Sequence, residues 1–158
     1  RFVRLLPNKI NEILFEISFD HPAIMHQEYR FVFSKEHYIK EIARARTFGF
    51  LKEVNYLRSI GKGLGGSLDN AVVLDEKRVL NAEGLRFADE FVRHKILDAI
   101  GDMAFLGAPF IGRYEARAGS HHLNHLLTKA LLADLESYVV VEAEGAKESA
   151  KELERAFA

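Results

Sequence analysis

Between Asn11 and Phe19 the chain reads NEILFEISF, placing Ile13, Phe15, Ile17 and Phe19 on one side of an extended backbone. That period of two predicts a half-buried strand. Residues 2–6 and Tyr29–Phe33 read as two further strands, and Asp20-His21-Pro22 breaks the pairing between them. Ser34, followed by Glu36 and by apolar Tyr38, Ile39, Ile42 and Ala43, predicts an N-capped amphipathic helix that stops near Thr47-Phe48-Gly49. A second helical pattern runs from Phe50 to Ile60 and gives way to GKGLGGSLDN, whose four glycines mark a loop. The β-branched run AVVLD and the short VLN follow, so residues of about 49–79 read as an inserted helix, loop and hairpin. Beyond it come a long helix from about Phe87 to Phe105, a strand from about Pro109 to Ala116, and a helix from His121 or His122 past Leu135. Residues 141–158 read as a charged helical tail, kept solvated by Glu148, Glu152, Lys151 and Arg155. Strands and helices in mixed order, without regular βαβ alternation, predict an α+β fold. The expected architecture is a two-layer sheet-and-helix sandwich over residues 1–140 with a small inserted subdomain.

Composition narrows the chemistry. The 158 residues are 48% hydrophobic, enough for a real core. Lys plus Arg number 22 against 23 Asp plus Glu, a net charge of −1, so no long-range field draws in a polyanion and nucleic acid is not an expected partner. Cysteine is absent, which excludes disulfides and thiolate metal sites; any metal must rest on histidine and carboxylate. No apolar run approaches the roughly 20 residues that cross a bilayer, and the first residues lack a signal-peptide pattern. The expectation is a soluble, cytoplasmic protein without stable membrane insertion. Arg1-Phe2-Val3-Arg4 reads like the inside of a strand with no initiator Met, as in a fragment of a longer protein.

On a helical wheel of the long helix, Val92, Ile96, Ala99, Ile100 and Met103 share one arc, with Leu97 and Ala104 on its flank. His94, Lys95, Asp98 and Asp102 collect in a narrow polar stripe between Phe91 and Phe105, a setting that predicts partial burial. His94 and Asp98 are one turn apart, so an imidazole nitrogen and a carboxylate oxygen can converge on one ion. Asp102 can orient a neighbouring imidazole, and Lys95 can set positive charge beside developing negative charge. An isolated HxxxD is more often an ordinary His–Asp contact on a solvated face. A second cluster, Gly119-Ser120-His121-His122-Leu123-Asn124-His125, lies at a strand-to-helix junction. Its three histidines are open to metal ligation, proton donation or a plain solvent-facing role. If His121 faces Asp102, its imidazolium is stabilised, which suits a general acid. Thr47 offers a hydroxyl at a helix end, for a substrate oxygen or for capping. The glycine-rich loop at 61–66 lacks the GK[ST] ending of a phosphate-binding loop and reads as turn chemistry.

Residues 43–102 resemble the UDP-3-O-acyl-N-acetylglucosamine deacetylases of lipid A biosynthesis. The likeness rests on ARTFGF (Ala45–Phe50), LGGSLDNAVV (Leu64–Val73), DEFVRHKILDAIGD (Asp89–Asp102) and GSHHLNH (Gly119–His125), with FDHPAI (Phe19–Ile24) upstream. The resemblance implies the C-terminal half of a two-half enzyme, with zinc between the halves or iron(II) in its place. His94 and Asp98 would be two ligands; the third ligand and a glutamate general base would come from the N-terminal half, a partner absent from this chain. The implied reaction is deacetylation of UDP-3-O-acyl-N-acetylglucosamine to UDP-3-O-acyl-glucosamine and acetate. Thr47 and Lys95 would stabilise the oxyanion, and His121, held by Asp102, would protonate the departing amine. The insert at 49–79 would form a passage for the acyl chain, with Leu64 and Val73 in it. Phe19, Asp20, Phe48 and Arg93 fall where members contact substrate. One departure is visible: many relatives carry Lys-Ser-Gly-His where this chain has Ala118-Gly119-Ser120-His121, which moves a diphosphate contact to Arg117 or removes it. The alternative reading is a non-catalytic module that binds a nucleotide sugar or an acyl chain.

Overall fold

In the computed structural model, which describes residues 1–141, the alternating segment forms β2 (Glu12–Ser18). It lies inside a four-stranded sheet with β1 (Phe2–Leu6), β3 (His26–Val32) and β6 (Arg113–Arg117), in the order β1-β6-β2-β3. β2 pairs antiparallel with β3 and parallel with β6, and β1 pairs antiparallel with β6. The register puts Ile13 opposite Tyr114 and Phe31, and Phe15 opposite Ala116 and Tyr29, so one face of the sheet is continuously apolar. The other face carries the alternate residues. There Glu115 meets Arg4 and Arg113, Glu12 meets Arg30, and Glu16 meets Arg117, a charge pattern that penalises a slipped register more than it adds stability.

Helix α3 (Glu90–Met103) covers the apolar face, burying Phe91, Val92, Ile96, Ala99 and Met103 against Ile13, Phe15 and Phe31. This matches the arc read from the wheel, and His94, Lys95, Asp98 and Asp102 remain at its margin. The fold is α+β, as expected. Among the described residues no helix is long and apolar enough to cross a membrane. Residues 1–128 form one compact unit. The second begins at Lys129 with the end of α4 (His121–Ala133) and continues through a turn in which the Ser137 N–H donates to the Asp134 carbonyl.

Several boundaries differ from the sequence reading, each for a visible reason. The helix expected from Ser34 to Thr47 is a single turn, α1 (Lys35–His37), capped by Ser34 Oγ, followed by a π-turn over Tyr38–Ile42. It stops there because the Arg46 N–H, which would serve a longer helix, donates instead to Glu90 Oε1 at 2.9 Å. Thr47 therefore opens strand β4 (Thr47–Phe50) rather than closing a helix. The insert is built on a βαβ unit, β4, helix α2 (Leu51–Ser59) and β5 (Ala71–Leu74), with the strands parallel, and the expected hairpin after β5 is reduced to its turn. Val79 makes only an isolated bridge to Leu74. Two backbone bonds flank that bridge, from the Asp75 N–H to the Arg78 carbonyl and from the Leu80 N–H to the Val73 carbonyl, and beyond them the Asn81 side chain accepts from the Val73 N–H and donates to the carbonyls of Leu68 and Ala71. The long helix begins at Glu90, not Phe87, and its last turn, Ala104–Leu106, tightens to a 3-10 turn. Strand β6 starts at Arg113 rather than Pro109, and α4 ends at Ala133, short of Leu135. The charged tail with Glu148, Lys151, Glu152 and Arg155 lies outside the described residues.

Glu90 is fully buried and Arg46 is 4% exposed. Glu90 Oε1 accepts from the Arg46 N–H and Nε, and Oε2 accepts from the Arg86 N–H and Arg46 Nη2. Arg46 spends its remaining donors on Glu83 and the Gly84 carbonyl. Burial pushes the Glu90 carboxyl up, but the hydrogen bonds from Arg46 and Arg86 outweigh it and hold the group below its ordinary value. A depressed native value means this stabilisation is complete above the unfolded-state value near 4.5 and is lost as pH falls through the folded one. Glu90→Gln is thus expected to cost about 3–5 kcal/mol at neutral pH, because Arg46 is left buried and uncompensated. The gap between variant and wild type should narrow in acid. Denaturant unfolding at pH 7 and at pH 3 measures both, and a gap independent of pH contradicts this account.

Candidate metal and proton-transfer site

The polar stripe of α3 converges on one patch. The His94 ring is largely covered, packed edge-on against Phe48 at a centroid distance of 6.3 Å. His94 Nδ1 lies 3.3 Å from the Ala45 carbonyl oxygen, which can only accept, so Nδ1 carries the proton and Nε2 bears the lone pair. Burial lowers the His94 pKa from its ordinary value despite the opposing pull of Asp98 and the Ala45 carbonyl, and Lys95 and His121 act in the same direction as burial. The ring is therefore neutral, and its Nε2 faces Asp98 Oδ1 at 3.2 Å. Two acceptors facing each other call for a cation between them. Their separation is close to the edge of a tetrahedron with ligand bonds near 2.0–2.2 Å, roughly 3.3 Å. The donor types and the spacing fit zinc or iron(II). Among the described residues no third His, Cys, Asp or Glu joins the pair to complete a metal site.

Lys95 Nζ holds Asp98 Oδ2 at 2.7 Å. One turn on, Asp102 Oδ2 accepts from His121 Nδ1 at 2.8 Å. This leaves His121 Nε2 directed toward the same patch, 3.8 Å from Asp98 Oδ2, on a side chain that is 68% exposed. Its placement depends on the tight turn before α4. Ala118 sits at φ 49, and a Cβ on Gly119 would lie 2.9 Å from Phe15 Cζ, so only glycine fits there. Ser120 Oγ then accepts from the Leu123 N–H and caps the helix. His122 and His125 are exposed and join no partner in the patch.

The other predicted residues divide. Phe48 stands beside the patch, and Thr47 and Phe48 line a cavity of about 510 Å³ with Val54, Leu57, Leu68 and Val73. Leu64 is 72% exposed and does not line it, because the glycine-rich loop turns its side chain outward. Phe19 packs against Phe48 and Phe50 with centroids 5.9 and 6.2 Å apart. Asp20 lines a neighbouring cavity of about 680 Å³ with His21, Phe50 and Asp75. Arg93 is not brought to the patch: its guanidinium lies between the rings of Tyr29 and Phe87 and pairs with Glu41 and Asp89. Sequence reasoning missed four supporting residues. Arg46 and Glu90 position the Ala45 carbonyl, and Tyr114 and Asn124 stand behind Asp102. A signal existed for Asn124, an amide among Leu123, Leu126 and Leu127 on a helix, which predicts a buried polar group in need of partners.

Comparison with known proteins follows this geometry. The family model described as LpxC, UDP-3-O-acyl N-acetylglycosamine deacetylase, matches residues 1–133. The chain belongs to this family. It is 61% identical over all 158 residues to the UDP-3-O-acyl-N-acetylglucosamine deacetylase of Wolinella succinogenes, covering 53% of that protein. With the Nautilia profundicola enzyme of the same name it shares 62% over 157 residues, 99% of this chain and 52% of the relative. With that of Campylobacter fetus it shares 58%, covering the whole of this chain and 53% of the relative. The chain thus spans about half the length of the curated relatives it matches. The patch sets two facing acceptors, His94 Nε2 and Asp98 Oδ1, beside one carboxylate–imidazole pair.

If His94 and Asp98 are ligands, His94→Ala and Asp98→Ala should each lower zinc affinity by at least about 10–100-fold. His121→Ala should retain zinc. Competition with a chelating indicator measures all three, and loss of zinc in His121→Ala reassigns that residue as a ligand.

Proposed function

We propose that this chain is the C-terminal catalytic half of a zinc-dependent amidohydrolase, iron(II) being the alternative metal. Its reaction is hydrolysis of UDP-3-O-acyl-N-acetylglucosamine to UDP-3-O-acyl-glucosamine and acetate, the deacetylation step of lipid A biosynthesis, in the cytoplasm. The observation that carries the reading is one patch on α3 where two facing acceptors, His94 Nε2 and Asp98 Oδ1, adjoin an imidazole held by a carboxylate. Membership in the deacetylase family, and relatives bearing that name, support it.

Bound zinc supplies a Lewis acid for the acetyl carbonyl and for the hydrolytic water. The chain's own residues do the rest. Asp98, fixed through Oδ2 by Lys95, presents Oδ1 beside His94. Lys95 and the Thr47 hydroxyl place positive charge and a donor near the oxygen where negative charge develops. As water adds to the acetyl carbon and the C–N bond breaks, the nitrogen needs a proton to leave as an amine. His121 provides it from Nε2–H, since Nδ1–H is held by Asp102. The glutamate that takes the proton from water, and the third ligand, belong to the N-terminal half in this reading.

The 3-O-acyl chain and the 2-acetamide are neighbours on the sugar, so their sites must adjoin. The 510 Å³ cavity fits this requirement, since Phe48 lines it and packs on the His94 ring. Phe19 and Asp20, beside Phe48 and Phe50, are the candidates for the nucleotide end.

Combining this chain with an N-terminal half should give stoichiometric zinc and deacetylation of UDP-acylglucosamine substrate. Neither half alone should do so. Substrate binding without metal or turnover in the combined protein would instead favour a non-catalytic nucleotide-sugar or acyl-chain module. His121→Ala is expected to lower kcat by roughly 10²–10⁴-fold. Leu57→Glu and Leu68→Glu place charge in the cavity at partly exposed positions. They should raise KM for long-acyl substrates and spare short-acyl ones; an equal effect on both contradicts the acyl-passage assignment.

A further inference from the structure

We infer that Asn124 and Tyr114 are positioning residues that aim Asp102 at His121. The inference rests on the deacetylase reading above. Tyr114 is fully buried on β6, and Asn124 is 2% exposed on α4. The Tyr114 hydroxyl donates to Asn124 Oδ1 at 2.6 Å. Burial, reinforced by Asp102 and Asp98, holds that hydroxyl well above its ordinary range, so it keeps its proton and remains a donor. A buried donor at Oδ1 fixes the amide so that Nδ2 points the other way. Nδ2 then donates to Asp102 Oδ2 at 2.7 Å, the same oxygen that accepts from His121 Nδ1. With the amide reversed, Asn124 would set its own oxygen against the carboxylate and leave the tyrosine proton facing an N–H. The chain Tyr114, Asn124, Asp102, His121 therefore has one self-consistent direction, read from the core outward.

The consequence lies in precision. Asp102 is partly exposed, and a carboxylate tied only to a solvent-facing histidine samples several rotamers. The second bond, from a buried amide on the same helix as His121, restricts Asp102 and His121 together. The Thr128 hydroxyl donates to the main-chain carbonyl of Asn124 and takes no part in this series of side-chain bonds.

The test uses the enzyme assembled from both halves. Asn124→Ala should lower kcat by roughly 10–100-fold, with KM and zinc content unchanged. Tyr114→Phe, which keeps the ring and removes only the hydroxyl, should lower kcat several-fold in the same way and covers the case in which Asn124→Ala folds poorly. Thr128→Val is the control for a buried polar loss on the same helix; it should lower thermal stability and leave kcat alone. In an Asp102→Ala background, Asn124→Ala should add less than about twofold. Full additivity there, or loss of kcat in Thr128→Val equal to that in Asn124→Ala, overturns the inference and makes Asn124 a folding residue. Nitrogen NMR of His121, taken at a pH where the ring has lost its Nε2 proton, reads the role independently of turnover: the Nδ1–H tautomer of wild type should become a mixture in Asn124→Ala. An inactive wild type would sink the deacetylase reading, while an unchanged imidazole spectrum in Asn124→Ala would sink this one.

Discussion

The buried Arg46–Glu90 pair is the constraint from which the rest of the site follows. Two charges removed from water cost several kcal/mol each unless their hydrogen-bonding capacity is met. Here Glu90 receives four donors and Arg46 reaches two carboxylates and a carbonyl. A network satisfied this completely has only one low-energy arrangement. It ends the segment after Ile42, turns Thr47 into the start of a strand, and anchors the first turn of α3 to the insert.

From that anchor the tautomer of His94 is set. Arg46 fixes the peptide next to it, whose Ala45 carbonyl takes the Nδ1 proton, so the lone pair on Nε2 is delivered to the patch. Thr47 follows by one residue and Phe48 by two, which sets an aromatic wall against the His94 ring and both residues on the adjoining cavity. The Asp102–His121 pair is built from the opposite side, through β6 and α4, with Gly119 permitting the approach. Two independent supports converge on a single helix face. Neither contributes residues to the other's hydrogen-bond network, so damage to one is expected to leave the other in place.

Much of this was legible in the sequence where one element carried the pattern. Period two gave β2, the wheel gave the buried arc and the polar stripe of α3, and the spacing of His94, Asp98 and Asp102 gave their common face. Contacts between distant segments were not legible in that way. Arg46 and Glu90 lie 44 residues apart, and Tyr114 donates to Asn124 across a strand-to-helix turn. The hairpin expected around Asp75 is held to a single bridge, and beyond it Asn81 satisfies the β5 backbone with its side chain, which period counting does not register. Arg93 was singled out by resemblance alone, and its partners Tyr29, Phe87, Glu41 and Asp89, three of them in distant segments or turns, were not legible around it.

Lys95 illustrates how a neighbouring charge can define a ligand without being one. A free aspartate can offer a metal one oxygen or both. With Nζ 2.7 Å from Oδ2, the second oxygen of Asp98 is already engaged by a charged donor. Oδ1 is left facing His94 Nε2, so in the proposed centre Asp98 binds through one oxygen, and the ion has room for further ligands. The same ammonium lies one step from where the substrate oxygen would gain charge. In the proposed reaction it would serve two electrostatic tasks from one position, lowering the negative potential around Asp98 and favouring an anionic substrate oxygen. An arginine there would engage both carboxylate oxygens in a bidentate fork and take the oxygen that the metal needs, which is a physical reason for lysine at this position.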